Sequence, residues 1–188
     1  MKRAKVISLG IVSGLLLVGC AQRELVFTQN SICQSPVAEI YLQGVFQRNN
    51  QGTISEGEFR NLLEEVMQNT GCIHLLKKPQ QGAYTLNAAY EIKMENTKSK
   101  ETFKSKSNHT LQTRVVLTLN NQEVIRRDFG ESKISTEENK VLGIGEDETI
   151  SKDDEEKALK SSILAALKNF ISEIDSQETS SQNEQSQE

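Results

Sequence analysis

The clearest structural signal in this chain of 188 residues is the stretch YTLNAAYEIKM at residues 84–94. Apolar or aromatic side chains occupy its even positions, which are Tyr84, Leu86, Ala88, Tyr90, Ile92 and Met94. Polar side chains dominate the odd positions. Because successive side chains of a strand point to opposite faces, this alternation predicts an antiparallel strand with one buried face and one wet face.

A second alternating segment lies upstream, at residues 37–46. It predicts a half-buried strand, followed by a polar loop at residues 47–53. The side chains expected on its buried face are those of Ala38, Ile40, Leu42 and Phe46. Residues 72–77 predict a further, short strand that ends before Pro79.

The alternation returns at residues 111–119. A tight turn at Asn120 and Asn121 joins this segment to another strand at residues 124–134, which predicts a hairpin. Residues 96–107 are polar and rich in lysine, so we interpret them as a linker.

Between the first two strands, Ser55 and Glu58 have the spacing of a capping box, in which each side chain satisfies a free backbone N–H of the other residue. Ile54 and Phe59 have the spacing of a hydrophobic staple, and Gly71 suits a left-handed C-terminal cap. One helix is therefore predicted, with an apolar stripe formed by Phe59, Leu62, Leu63, Val66 and Met67.

A second helix is predicted to begin after Ser151, with Asp154 completing a weaker capping box. An acidic connection, residues 137–156, leads into it. Its buried stripe consists of Leu159, Ile163, Ala166, Leu167, Phe170, Ile171 and Ile174. Residues 175–188 carry no large apolar side chain and are expected to form a disordered polar tail.

The predicted order is β-α-β-β-β-β-α across one domain, residues 36–174. Both helices have a single apolar stripe, and burying them on the same face of one sheet is the economical solution. The expectation is therefore an α+β fold with one mostly antiparallel sheet and two helices packed on one face.

The first residues have the composition of a secretory signal, with Lys2, Arg3 and Lys5 ahead of an apolar run at 6–18. The run ends in LVGC at residues 17–20, which resembles the lipobox of bacterial lipoproteins. The resemblance implies that residues 1–19 are a signal peptide and that Cys20 is diacylglycerylated. It further implies acylation of the new amino group with palmitate or a similar chain, and a tether at residues 20–35. The alternative is an uncleaved anchor, for which the run is short.

Ala21 follows the cysteine where an Asp would imply retention in the inner membrane in many Gram-negative lipoproteins. The resemblance therefore implies an outer-membrane location, facing the periplasm. That compartment is oxidising, so Cys33 and Cys72 are expected to form a disulfide rather than remain as two buried thiols.

The composition argues against two classes of protein. A net charge of −4 and 5% aromatic residues do not suit nucleic-acid binding. Of the two histidines, His74 and His109, neither lies in a nucleophile motif, so we expect a non-catalytic protein without a cofactor. Residues 47–58 have the spacing of a calcium-binding EF-hand loop. Amides replace the key carboxylates, however, and we expect no metal there.

A set of basic residues lies on or beside the predicted hairpin and could contact an anionic ligand or a partner protein. Its members are Lys98, Lys100, Lys104, Lys106, Arg114, Arg126 and Arg127. The alternative is a solvated polar face on which these charges are incidental.

Residues 37–174 resemble the lipopolysaccharide-assembly lipoprotein family LptE. The resemblance rests on a strand and polar loop before a helix (42–53), a strand with small residues (83–94) and a closing helix (155–174). It implies a periplasmic partner of the β-barrel lipopolysaccharide translocon. Residues 47–55 and the helix and strand that follow also resemble the LpoB family and its curli-channel relatives, which implies activation of a peptidoglycan synthase. A lipoprotein without assignable activity is the remaining alternative.

Overall fold

The computed structural model describes residues 32–100, 104–121, 124–141 and 149–184. Of Lys100, Lys104, residues 139–141 and residues 175–184, only the backbone is described. The elements in chain order are β1 (Ala38–Asn50), α1 (Glu56–Thr70), β2 (Ile73–Leu76), β3 (Tyr84–Lys100), β4 (Lys104–Asn120), β5 (Ile125–Val141) and α2 (Lys152–Glu184). The predicted signal peptide, Cys20 and the first part of the tether lie outside the described residues.

The five strands form one sheet in the order β2-β1-β3-β4-β5. β1 runs parallel to both of its neighbours, whereas β3, β4 and β5 are antiparallel to one another, so the sheet is mixed. Helix α1 packs on β1 and β2, α2 packs on β4 and β5, and the two helices contact each other. The predicted α+β fold with this element order is confirmed.

The local signals for α1 are confirmed. The side chain of Ser55 accepts from the Glu58 N–H, and the Glu58 carboxylate accepts from the Ser55 N–H at 2.8 Å. Ile54 and Phe59 are fully buried, and Gly71 has a left-handed backbone with φ of 69°. In the core beneath α1, the ring of Phe59 stacks on that of Tyr90 at 4.4 Å between centroids.

Helix α2 begins after the predicted Ser151 cap, whose N–H donates to the Asp154 carboxylate at 2.9 Å. Every residue of its predicted apolar stripe is buried. The helix lies very close to β5 at Gly130, where a Cβ atom would come within 2.0 Å of the Ser162 carbonyl oxygen. The helical backbone continues to Glu184, ten residues into the stretch expected to be disordered. Extending a helix that already exists adds one hydrogen bond for each residue fixed.

The predicted buried face of β1 is wrong at Phe46. The pairing of β1 with β3 shifts between Leu42 and Gly44, so Gln43 is the extra residue of a β-bulge. Beyond the bulge the two faces of the strand exchange, because side chains alternate with a period of two. Val45 therefore packs against the core, and Phe46 lies on the opposite face, 54% exposed. β1 also continues to Asn50 through most of the predicted polar loop.

The predicted linker is also wrong at residues 96–100 and 104–107, the part of it that the structure describes. β3 continues to Lys100, and β4 begins at Lys104, so the segment extends a hairpin. β5 likewise continues to Val141. These added strand residues pair with the neighbouring strand in an unbroken register. The pairing supplies their backbone hydrogen bonds, and a polar composition gives no sign of it.

Candidate docking surface

The sheet face opposite the helices, here called the outer face, carries a line of apolar side chains across four strands. The strand registers pair Phe46 with Ala89, Ala89 with Val116, and Val116 with Phe129. We call these four residues the outer row. Phe46 is 54% exposed and Phe129 52% exposed, while Val116 between them is buried. Two half-exposed phenylalanine rings thus lie in one line on the same face of the sheet, which makes this line a candidate binding surface.

A charged line runs beside the outer row on the same face. Its members, Glu91, Arg114 and Glu131, are paired across β3, β4 and β5. The Arg114 guanidinium lies 5.2 Å from the centre of the Phe129 ring, and its Nε is 3.3 Å from a Glu131 carboxylate oxygen. This arrangement holds Arg114 against the aromatic ring while leaving both charges half exposed.

A shallow depression of about 310 Å³ lies over this charged line and the next one. The next line consists of Lys93, Gln112 and Lys133. An apolar strip with a charged rim is the arrangement found in protein–protein interfaces, where the rim stays hydrated.

The seven basic residues predicted from the sequence do not gather on one surface. Arg114 and Arg127 flank the outer row on the outer face, by their pairing in β4 and β5. Lys106 pairs with Glu137 at 2.7 Å at the far end of the sheet, and Lys98 is exposed nearby. The side chains of Lys100 and Lys104 lie outside the described part of the structure.

Arg126 lies on the opposite face, beneath α2. Its side chain is only 10% exposed, and its Nη1 lies 3.1 Å from a Glu173 carboxylate oxygen. The contact is an ion pair rather than a hydrogen bond, because Nη1 has no hydrogen-bond partner of suitable geometry among the described atoms. Arg126 therefore contributes to the seam between β5 and α2, not to the outer face.

Asp128 lies two residues along the same face of β5 and is 9% exposed. Its Oδ2 is buried, with no hydrogen-bond partner in the described part of the chain. Burial raises the pKa of this carboxyl, the negative charge of Glu173 raises it further, and Arg126 acts in the opposite direction.

The two histidines are far apart in the sheet. His74 is exposed on the edge strand β2, next to Glu39 in the register, beside a shallow hollow. His109 is on β4, and its Nε2 lies 3.9 Å from a Glu138 carboxylate oxygen. Within the described ranges, no three His, Cys, Asp or Glu side chains are grouped closely enough to hold a metal ion.

The segment that resembles a calcium loop is hydrogen-bonded to the protein itself. The Gln51 side-chain carbonyl accepts from the Met94 N–H at 2.6 Å, and the Asn50 side-chain carbonyl accepts from the Gly52 N–H at 2.8 Å. The Glu58 carboxylate accepts from Ser55 and pairs with Lys152. These oxygens hold the connection between β1 and α1 in place.

Cys33 and Cys72 are joined by a disulfide. The N–H groups of Ile32 and Cys33 both donate to the Thr70 carbonyl oxygen, at 2.7 and 3.2 Å. The last residues of the predicted tether are therefore attached to the C-terminal end of α1, next to the start of β1 and β2.

The outer row was missed by sequence reasoning, although one signal was available. A glycine inside a predicted strand often marks a bulge, and Gly44 follows the extra residue Gln43. The alignment of Phe46 with Ala89, Val116 and Phe129 depends on three strand registers, which no single segment specifies.

Comparison with solved structures finds several of low similarity. A structure described as a homolog of a neuraminyllactose-binding hemagglutinin from Helicobacter pylori has a TM-score of 0.44 and 14% identity, covering 74% of this chain and 88% of that one. A minor lipoprotein from Acinetobacter baumannii has a TM-score of 0.34 and 9% identity, covering 77% and 95%. The rare lipoprotein B from Shewanella oneidensis has a TM-score of 0.32 and 8% identity, covering 74% and 99%.

Two of these three neighbours are thus described as bacterial lipoproteins. TM-scores below 0.5 at such identities establish neither a shared family nor a shared activity. No protein-family model and no curated protein matches the chain. None of the helices that the structure describes is long and apolar enough to cross a membrane.

Proposed function

We propose that this protein is an outer-membrane lipoprotein that faces the periplasm and acts without catalysis, by docking on a partner in envelope assembly. The partner we favour is the β-barrel of the lipopolysaccharide translocon, as in the LptE family. The observation that carries the proposal is the outer row, an apolar strip with two half-exposed phenylalanines on a sheet face that the helices leave uncovered.

The lipid anchor is supported by the sequence LVGC at residues 17–20 and by the positive residues before the apolar run. An acylated Cys20 adds about 0.8 kcal/mol of membrane affinity for each buried CH₂, so two or three chains make a firm anchor. Intact-mass analysis of the native protein tests this step. We expect a chain that begins at Cys20 and carries diacylglycerol, and an unmodified amino terminus would contradict it.

Docking by the outer row is supported by the chemistry of its surroundings. Aromatic residues and arginine are enriched at the centres of protein interfaces, and here Arg114 packs on Phe129. Arg127 lies on the other side of the row and Lys93 and Lys133 lie beyond the charged line, so the rim can contact acidic groups of a partner.

The experiment is a pull-down of the full chain from detergent-solubilised envelopes of its own host, after mild cross-linking. We expect the wild-type protein to recover a large β-barrel. The double variant Phe46→Ser/Phe129→Ser removes both exposed rings of the outer row and should recover at least tenfold less. Ile125→Ser is the matched control, because Ile125 is 72% exposed on β5 but lies outside the outer row.

Each outcome bears on the proposal. Equal recovery by the double variant and the control would exclude the outer row as the docking surface. Recovery of a peptidoglycan synthase in place of a β-barrel would support the LpoB-like alternative. Recovery of no envelope protein by the wild type would contradict both and leave a lipoprotein without assigned activity.

A further inference from the structure

The strand β5 is an edge of the sheet and is 17 residues long. Just before β5, the Asn121 N–H donates to the Val124 carbonyl oxygen. This bond and the unbroken register place the backbone groups of the even-numbered residues of β5 toward β4, and those of the odd-numbered residues toward the open edge. Consistently, the Phe129 carbonyl oxygen accepts from the Asn169 side chain at 3.2 Å.

The first half of β5 carries positive charges at positions that match negative charges in its second half. Arg126 and Arg127 lie near the start, and Glu137 and Glu138 lie near the end. Glu131 and Lys133 flank Ser132 at the centre. Such a strand is complementary to a second copy of itself running in the opposite direction.

We propose that two copies of this protein pair through β5 as an antiparallel ladder, with a two-fold axis at Ser132. The odd-numbered residues, whose backbone groups face the edge, then form the hydrogen-bonded pairs of the ladder. In these pairs Glu131 lies opposite the partner's Lys133, and Arg127 lies opposite the partner's Glu137. On the other face, Arg126 lies opposite the partner's Glu138. The inference stands independently of the proposed docking partner.

Neighbouring registers are disfavoured by like charges. The backbone groups that face the edge belong to odd-numbered residues, so the ladder forms only when odd residues pair with odd residues. From one such register to the next, the two-fold axis moves by one residue. An axis at Glu131 places two Glu131 side chains opposite each other, and an axis at Lys133 does the same with two Lys133 side chains. Directly opposed like charges destabilise an antiparallel pair, which leaves Ser132 as the preferred centre.

Three buried polar atoms of β5 lack a hydrogen-bond partner among the described atoms, and two of them fit the same register. Asp128 Oδ2 and Thr136 Oγ1 have no hydrogen-bond partner among the described atoms. With the axis at Ser132, Asp128 lies opposite the partner's Thr136, and directly opposed Cβ atoms lie about 4.5–5.5 Å apart. A change of rotamer then lets the threonine hydroxyl donate to the carboxylate.

Within the described ranges no strand pairs with this edge, and helix α2 packs on one face of β5. Its backbone approaches β5 at Gly130, through the Ser162 carbonyl and the amide of Ala166. The Asn169 side chain donates to the Phe129 carbonyl oxygen at this edge, and it has to release that oxygen when the ladder forms.

The first test measures the mass of the full chain in detergent by sedimentation over a range of concentrations. We expect a dimer, and we expect Glu131→Lys to weaken it about tenfold or more, since two attractive pairs become repulsive. The double variant Glu131→Lys/Lys133→Glu restores opposite charges and should restore the dimer. Thermal melting shows whether each variant is folded.

The second test is a disulfide cross-link. Ser132→Cys places two thiols at the two-fold axis, and mild oxidation should join two chains covalently. Ser135→Cys is the matched control, because Ser135 lies opposite the partner's Phe129 and should not cross-link with itself.

A monomer at all concentrations would overturn the proposal. So would a dimer that is insensitive to Glu131→Lys, or one in which the two cysteine variants cross-link equally. Failure of the double charge variant to restore the dimer would exclude the register. Both Glu131 variants lose the ion pair with Arg114, and that shared loss would then account for the weaker dimer.

Discussion

The backbone N–H of Thr53 donates to the Glu155 carboxylate at 2.7 Å, although 102 residues separate them in the chain. Glu155 lies in the first turn of α2 and is only 2% exposed. Gly52 makes room for it, because a Cβ atom there would lie 2.5 Å from Glu155 Oε2. The start of α2 is thus fastened to the connection between β1 and α1, at one end of the core.

Replacing Glu155 by alanine should lower the free energy of unfolding by about 1–3 kcal/mol, because the Thr53 N–H loses the acceptor that the buried Glu155 carboxylate supplies. Glu155→Gln keeps an acceptor and should cost less. Urea denaturation measures both. Glu156→Ala, in the adjacent position, is the control and should change stability by no more than about 0.5 kcal/mol. Equal losses at the two positions would contradict the role of the Thr53 contact.

The Glu58–Lys152 pair should make stability depend on acid. The hydrogen bond from the Lys152 ammonium, helped by those from Ser55, lowers the Glu58 pKa from 4.5 to about 2. A pKa lowered by folding stabilises the protein above pH 4.5, and that contribution is lost as the pH falls toward 2. Lys152→Met should therefore lower the Tm at pH 6 and have a diminishing effect toward pH 2. A difference in Tm that did not change with pH would argue against this pair.

Asp128 should have the opposite effect on the pH dependence. Its raised pKa means that the folded protein favours the protonated acid, so this group stabilises the fold at low pH and loses that contribution as pH rises through its folded pKa. Asp128→Asn should be as stable as the wild type or more stable at pH 7. As the pH falls toward 4, the Tm of the wild type should rise relative to the Tm of the variant. The reverse trend would show that Asp128 has a charged partner.

The disulfide between Cys33 and Cys72 closes a loop of sequence separation 39. In the chain-entropy description, losing it costs about 4 kcal/mol of unfolding free energy. The double variant Cys33→Ala/Cys72→Ala should lose about that much in urea denaturation. A reductant should destabilise the wild type and leave the double variant unchanged. Alkylation of both thiols in unreduced native protein would show that they are not joined.

The parts of the fold that the sequence predicted are those that depend on local chemistry. The Ser55–Glu58 box, the Gly71 cap and the apolar stripes of the two helices involve residues a few positions apart, and so do the alternating faces of residues 84–94. In each of these the pattern and the burial agree, because propensity and periodicity act within one element.

The parts that it missed depend on pairing between strands. The bulge at Gln43 reverses the faces of β1. Gly44 is a local signal for a bulge, but the position of the bulge is set by the pairing with β3. The polar ends of β3 and β4 are strands because each supplies the backbone partners of the other. The outer row follows from both effects, so reading residues 37–46 alone placed Phe46 in the core.

The direction of the strands determines which end of the sheet lies far from the amino-terminal segment. Cys33, its disulfide and the start of β1 lie at the end of the sheet where β3 begins, since Ala38 pairs with Ile73 and Ile40 with Tyr84. β3 then runs 17 residues away from that end, which is about 56 Å at about 3.3 Å per residue. A chain held by its amino-terminal segment would therefore present Lys98 and Lys106 far from its point of attachment.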